Sequence, residues 1–250
     1  MIKAFIFAAL AVTLSTRPAR ATSFTFNTLP GDTTSSLPIS ASATFDVEAD
    51  TLKVTLSNLV VDQTSVGQNV SNIYFTLGNF TTGSVTNMLG GLINLDNYAG
   101  TPIVAPTNTS LPSADDWKLT GGNFTVQGST ITGYHLDTLA NGNNFTLLGL
   151  PNASNIYSNA NSSLTNGHGD PFLYSTVVFT MHIDGLTPTT SVSNVSFGFG
   201  TGEGDVHGSA CSDGCTTTTI TTTPEPASML VIGFGLAVIG LVGGKVRRKA

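Results

Sequence analysis

The sequence is short of charge, and shortest of positive charge. Only 10% of its 250 residues are charged, against about 25% in an ordinary globular chain. Thr, Ser, Asn and Gly take their place. Long solvent-facing helices draw on Glu, Lys and Arg, so this composition favours strands and turns. Between Thr22 and Thr223 the only cations are Lys53 and Lys118, against 14 acidic residues, a formal charge of −12. Such a domain repels phosphate backbones, which argues against nucleic acid as a partner. It attracts cations instead.

Cysteine and catalytic spacing are also scarce. The two cysteines, Cys211 and Cys215, stand in CSDGC. In an exported chain they can form a disulfide, which would close a very small loop and stabilise little. Read as a metal site with Asp213, they fall short of the four ligands of structural zinc. The four histidines, His135, His168, His182 and His207, make no metal-ligand spacing. His168 with Asp170 in NGHGDP could serve as ligand or base, but a solvated loop histidine explains the same residues. His182 falls on the polar face of a strand. No Gly-x-Ser-x-Gly elbow occurs, and no cysteine stands as a nucleophile beside a histidine. The chain is therefore expected not to be an enzyme. A glycan hydrolase using Asp115 and Asp116 is the alternative, and neighbours on a strand point to opposite faces, which suits an acid–base couple badly. No cofactor is expected and no metal site is assigned. Glu203 and Asp205 in GEGDV echo a calcium turn and are weak calcium candidates. A glycine-rich exit from the last strand is the plainer alternative. Eight Asn-x-Ser/Thr matches occur, Asn69 and Asn194 among them; they would be glycan acceptors in a eukaryotic secreted protein, but a chain this rich in Asn, Ser and Thr produces many by chance.

What is present begins with the N-terminus. Lys3 precedes an apolar run from Ala4 to Leu14, and Ala19-Arg20-Ala21 follows. The run is too short to span a bilayer and fits a signal peptide, 1–21, cut between Ala21 and Thr22 by signal peptidase after general secretion. After it, short apolar alternations recur between turn clusters. ATFDV places Ala43, Phe45 and Val47 on one face. TLKVTLS does the same with Leu52, Val54 and Leu56, and the two runs fit a hairpin around Glu48-Ala49-Asp50. SNIYFTLGN sets Ile73, Phe75 and Leu77 in phase. STVVFTMHIDGL sets Val177, Phe179, Met181 and Ile183 in phase, and Phe197 and Phe199 close the series. The region from Gly78 to Pro112 reads as irregular, NFTLLGL as a short strand, and PNASNIYSNANSSLTNGHGDP as a long loop. No amphipathic helix appears. The expected fold is all-β, an antiparallel β-sandwich ectodomain over 22–208, followed by a Cys/Thr-rich linker over 209–223.

The C-terminus has three parts in order. Pro224, Glu225 and Pro226 precede 18 uncharged residues, 227–244, and a basic tail, 245–250, with Lys245, Arg247, Arg248 and Lys249. As a helix the apolar stretch is about 27 Å long, near the thickness of a bilayer core. A basic cluster beyond it stays in the cytoplasm as a stop-transfer signal, leaving the domain on the far side. Each proline holds extended backbone ahead of the helix, the form a peptidase takes.

This arrangement resembles the PEP-CTERM sorting signal of Gram-negative bacteria. The resemblance covers Thr223 to Ala250. It implies that Pro224, Glu225 and Pro226 are read by exosortase, a membrane-embedded cysteine-type transpeptidase. It further implies cleavage near the motif, loss of helix and tail, and transfer to the cell surface or extracellular matrix. Many proteins of that kind accompany exopolysaccharide and biofilm loci, so an adhesive or polysaccharide-binding role is expected. The ATFDV…TLKVTLSNL and SNVSFGFGTG segments resemble the β-rich ectodomains found there. A permanently anchored single-pass protein is the alternative.

Overall fold

The computed structural model describes residues 21–78, 82–95, 109–110, 117–126, 128–139, 145–168, 171–201, 206–209 and 217–218. Of these residues 58% lie in strands. The strands are β1 (Thr22–Asn27), β2 (Thr33–Thr34), β3 (Leu37–Pro38), β4 (Ala41–Glu48), β5 (Thr51–Asn58), β6 (Val70–Leu77), β7 (Ser84–Ile93) and β8 (Thr109–Ser110). They continue with β9 (Lys118–Val126), β10 (Ser129–Asp137), β11 (Leu147–Leu148), β12 (Phe172–His182), β13 (Val192–Phe199), β14 (Val206–Ser209) and β15 (Thr217–Thr218). A 3-10 turn, Val66–Gln68, and a single helical turn, α1 (Ser162–Thr165), are the helical segments among the described residues.

The expected hairpin is β4–β5. Ala41, Ala43, Phe45 and Val47 are buried, as are Leu52, Val54 and Leu56 opposite them. Ala49 and Asp50 make the connection, with Asp50 at φ 53°. A short aspartate tolerates that left-handed conformation better than a bulky side chain. β12 also follows its pattern. Val177, Phe179 and Met181 are fully buried, and His182 at its end is exposed.

Hydrogen bonding gathers 13 strands into one curled, mixed sheet. Two antiparallel blocks can be traced within it. One runs β9-β10-β6-β13-β14. The other runs β15-β1-β4-β5-β12-β7-β8. The two-residue β11 joins them, pairing antiparallel with β6 through Leu147 and Val70 and parallel with β12. The blocks share one core. Phe45 of β4 meets Phe75 of β6 edge-on with centroids 5.1 Å apart, and Trp117 meets Phe179 of β12 at 4.9 Å. Trp117 hides its indole N–H by donating to the Phe145 carbonyl at 2.9 Å.

The region from Gly78 to Pro112 is more regular than expected. It holds β7, a ten-residue strand along β12. Register shifts against β12 at Leu173/Val177 and Thr180/Met181 break its alternation, and Gly90 and Gly91 carry no side chain to reveal a face. The long polar segment is a loop, but a packed one. Tyr157 and Leu164 join Ile93, Leu95, Leu148 and Phe172 in a second apolar cluster. Asn161 caps α1 by accepting from Ser163 N at 2.8 Å.

A buried polar network holds the junction at β11. Asn58 donates to the Gln68 and Leu147 carbonyls at 2.9 and 2.8 Å. Asn69 accepts from Gln63 at 3.1 Å and donates to Thr146 Oγ1 at 2.8 Å. Gln63 Oε1 also accepts from Gly149 N. Such amides are tolerated inside only when their hydrogen bonds are made. Asn69, one of the Asn-x-Ser matches, is wholly inaccessible here.

Candidate functional site

The described structure brings the two ends of the domain together. Thr22, the first residue after the expected signal-peptidase cut, opens β1, and Ala21 lies just outside it. Thr22 pairs with Val47, and its hydroxyl donates to the Pro188 carbonyl at 2.5 Å. The other edge of β1 takes β15, with Ser23 opposite Thr218 and Phe24 opposite Thr217. Because the pairing is antiparallel, β15 runs from Thr217 to Thr218 toward the Thr22 end of β1. The first and last described strands therefore lie side by side on one sheet edge. Within the segment read as a linker, Thr217 and Thr218 belong to that edge. Five residues separate Thr218 from Pro224, so the two are at most about 20 Å of extended chain apart.

The other expected site residues fall outside the described residues. They are Pro224, Glu225 and Pro226; Lys245, Arg247, Arg248 and Lys249; Cys211 and Cys215; Glu203 and Asp205; and Asp115 and Asp116. The signal peptide up to residue 20 and the apolar stretch 227–244 lie outside as well. Among the described residues no helix is long and apolar enough to cross a membrane, and no three His, Cys, Asp or Glu gather as a metal site.

The histidines with described side chains occupy three settings. His168 is exposed in the loop, its amide donating to Asn166 at 2.9 Å. His182 is exposed, as its strand position predicts, and lies 2.9 Å from both the Asp50 carbonyl and Asp184 Oδ1. His135 is the one whose setting sequence reasoning missed. Its ring stacks on Tyr74 with centroids 4.0 Å apart and planes 2° from parallel. Phe124 closes on both, 5.7 Å from Tyr74 and 5.5 Å from His135. Tyr74 is buried, whereas Phe124 and His135 are half-buried. The cluster lies on the sheet face away from the core, because Phe75 and Tyr134, the neighbours of Tyr74 and His135, point inward. Its sequence signal is the second face of SNIYF, NFTV and GYHL, which becomes readable once their register is known.

Asp62 ties the packed loop down. It accepts from Ser158 Oγ at 2.6 Å and from Asn159 Nδ2 at 2.9 Å. Partial burial pushes its carboxyl up, but hydrogen bonds from Ser158, Asn159 and Asn152 outweigh that and leave it below its ordinary 3.8. Tyr134 is pushed up to about 12 by burial, and its phenol donates to the Thr82 carbonyl at 3.0 Å.

The C-terminus has a known counterpart. Residues 222–249 match the PEP-CTERM protein-sorting motif. No curated protein and no solved structure matches the chain. The PEP-CTERM motif marks an exported, membrane-transiting protein that exosortase processes. It begins four residues beyond β15. The folded domain and the PEP-CTERM segment are thus nearly adjacent in sequence, with little chain to separate them.

Proposed function

We propose that this protein is a non-enzymatic surface or matrix component of a Gram-negative bacterium. Signal peptidase removes residues 1–21 after general secretion. The apolar stretch 227–244 then holds the precursor in the inner membrane as a helix until exosortase cuts near Pro224-Glu225-Pro226. The β domain, in this reading a sandwich-type ectodomain whose two blocks are its layers, goes on to bind extracellular polysaccharide. The single observation that carries the sorting half is the PEP-CTERM match over 222–249. The sandwich reading is supported by the Phe45–Phe75 contact between blocks.

Support for polysaccharide as the ligand is the half-buried Phe124 and His135 beside Tyr74 on the outer face. Aromatic rings present large, rigid contact area at small entropic cost. A net acidic domain gives no reason to expect strong attraction to a polyanion, so neutral or cation-bridged glycans fit best. Fractionation tests the proposal. The protein is expected in the polysaccharide-containing matrix of cells with exosortase, and in the inner membrane of cells without it. The purified domain should bind the isolated exopolysaccharide, with F124A weakening that binding. Equal binding by F124A and wild type would remove the aromatic cluster from the account. Absence from the matrix in both strains would remove the surface role.

A further inference from the structure

We propose that the open edge of β9 pairs with the β9 edge of a second copy, so that two domains share one continuous sheet. The pairing uses the folded domain alone and holds whether or not the C-terminus is processed. The two blocks end in four outer strands. β8 and β15 have two residues each, and β14 has four. β9 has nine, and among the described residues it pairs with β10 alone. A short edge strand offers few unpaired backbone groups, whereas a long one presents a row of them to another strand.

Register decides which groups those are. Val126 and Ser129 close the β9–β10 hairpin across two residues, and the pair that closes such a hairpin exchanges both its hydrogen bonds. Hydrogen-bonded pairs then recur at every second residue of β9, at Phe124, Gly122 and Thr120. Leu119, Gly121, Asn123 and Thr125 alternate with them and turn their N–H and C=O groups outward. Gly121, Asn123 and Thr125 are exposed, as that assignment requires. The 2.6 Å bond from Thr132 Oγ1 to Asn123 Oδ1 fits as well, because side chains come closest at the pairs without backbone bonds.

Charge and shape select a second copy as the partner. The domain carries −12 between Thr22 and Thr223, so two copies repel where their acidic surfaces meet. β6, β9, β10 and β13 hold only Lys118 and Asp137 as charged residues, a net of zero with His135 neutral. Approach at β9 therefore sets no acidic surface against another. In an antiparallel pairing centred on Gly122, Gly121 of each copy exchanges hydrogen bonds with Asn123 of the other, and Leu119 with Thr125. Gly122 meets Gly122 at the axis, where the backbones come closest and no side chain intrudes. Thr120 faces Phe124 across the junction and covers part of its half-buried ring. The two Lys118 residues stand about 27 Å apart along the strands, beyond a screening length of about 10 Å. The outer faces coincide, which sets the two Phe124 rings about 14 Å apart along one surface. A strand pair of this size covers less than the about 1,200 Å² of a stable interface, so the dimer forms only where the protein is concentrated.

Sedimentation velocity and amide exchange of the mature protein recovered from cells test this with two variants. Thr125→Pro removes an outward donor and leaves the β9–β10 ladder intact. Thr125→Lys keeps every backbone donor but sets a charge opposite Leu119 of the second copy. Wild type is expected to be monomeric at about 10 µM and largely dimeric at about 1 mM, with exchange at Gly121, Asn123 and Thr125 slowed about threefold or more. Both variants should weaken association about tenfold or more without moving the urea midpoint. If Thr125→Pro does lower that midpoint, Thr125→Lys decides alone. A wild type that stays monomeric at the higher concentration overturns the proposal. So does association that leaves exchange at 119–125 unchanged, or that a folded Thr125→Lys does not weaken, since the contact then lies on another surface.

Discussion

Gly133 of β10 is where a single methyl group should do the most visible damage to the aromatic face. A Cβ there would lie 2.3 Å from the Phe75 carbonyl oxygen, 2.9 Å from Thr76 Oγ1 and 3.1 Å from the Phe75 carbonyl carbon. Two of those atoms are backbone and cannot rotate away. Gly133→Ala must therefore push β10 off β6, and with it the β9–β10 hairpin that carries Phe124 and His135. Overpacking of a buried site costs about 1–3 kcal/mol. Here the obstacle is fixed, so about 3 kcal/mol is expected. For a domain near 200 residues that lowers Tm by roughly 6–12 °C. Gly128, in the turn of the same hairpin, is the control. It has φ 77° and nothing within 4 Å, so Gly128→Ala bears only the left-handed backbone cost of about 1 kcal/mol. Urea denaturation of the purified mature protein reads both. Unchanged m-values with a midpoint shift at least twice as large for Gly133→Ala support the packing argument. A Gly133→Ala shift equal to or smaller than that of Gly128→Ala refutes it.

Three further outcomes follow from the same geometry. Phe45→Ala empties the contact between the two blocks and should cost about 3–5 kcal/mol, read by the same denaturation curves. Asp62 is held below its ordinary 3.8, so its stabilisation is present above that pH and fades as pH falls through its lower folded value; amide exchange at 152–161 should quicken there in wild type, while Asp62→Asn shows the quickened rate already at neutral pH. Tyr134 is raised to about 12, so the unfolded chain loses its phenol proton first and the native state weakens as pH climbs above the ordinary 10. Ultraviolet titration should show a late-ionising tyrosine that disappears in Tyr134→Phe.

Local alternation was legible and long-range pairing was not. ATFDV and TLKVTLS named the β4–β5 hairpin because every second side chain faces one core and the turn is short. STVVFTMHI named β12 for the same reason. β11 could not be read, since two leucines have no period, and its place between β6 and β12 depends on residues far away in the chain. β15 was hidden likewise inside a threonine run that reads as linker. The polar loop looked like a surface excursion, and its anchors Tyr157 and Leu164 are too sparse to form a pattern. The aromatic cluster needed three strands in register before its members became neighbours. The sorting end was legible because its parts are consecutive and owe nothing to the fold.

Intact mass of the mature protein is the most direct test of the central claim. In cells with exosortase, the account expects a chain that has lost 1–21 and has also lost 227–250. In cells without exosortase it expects 227–250 to remain. Retention of 227–250 in both would contradict it, and the C-terminus would then be a permanent anchor.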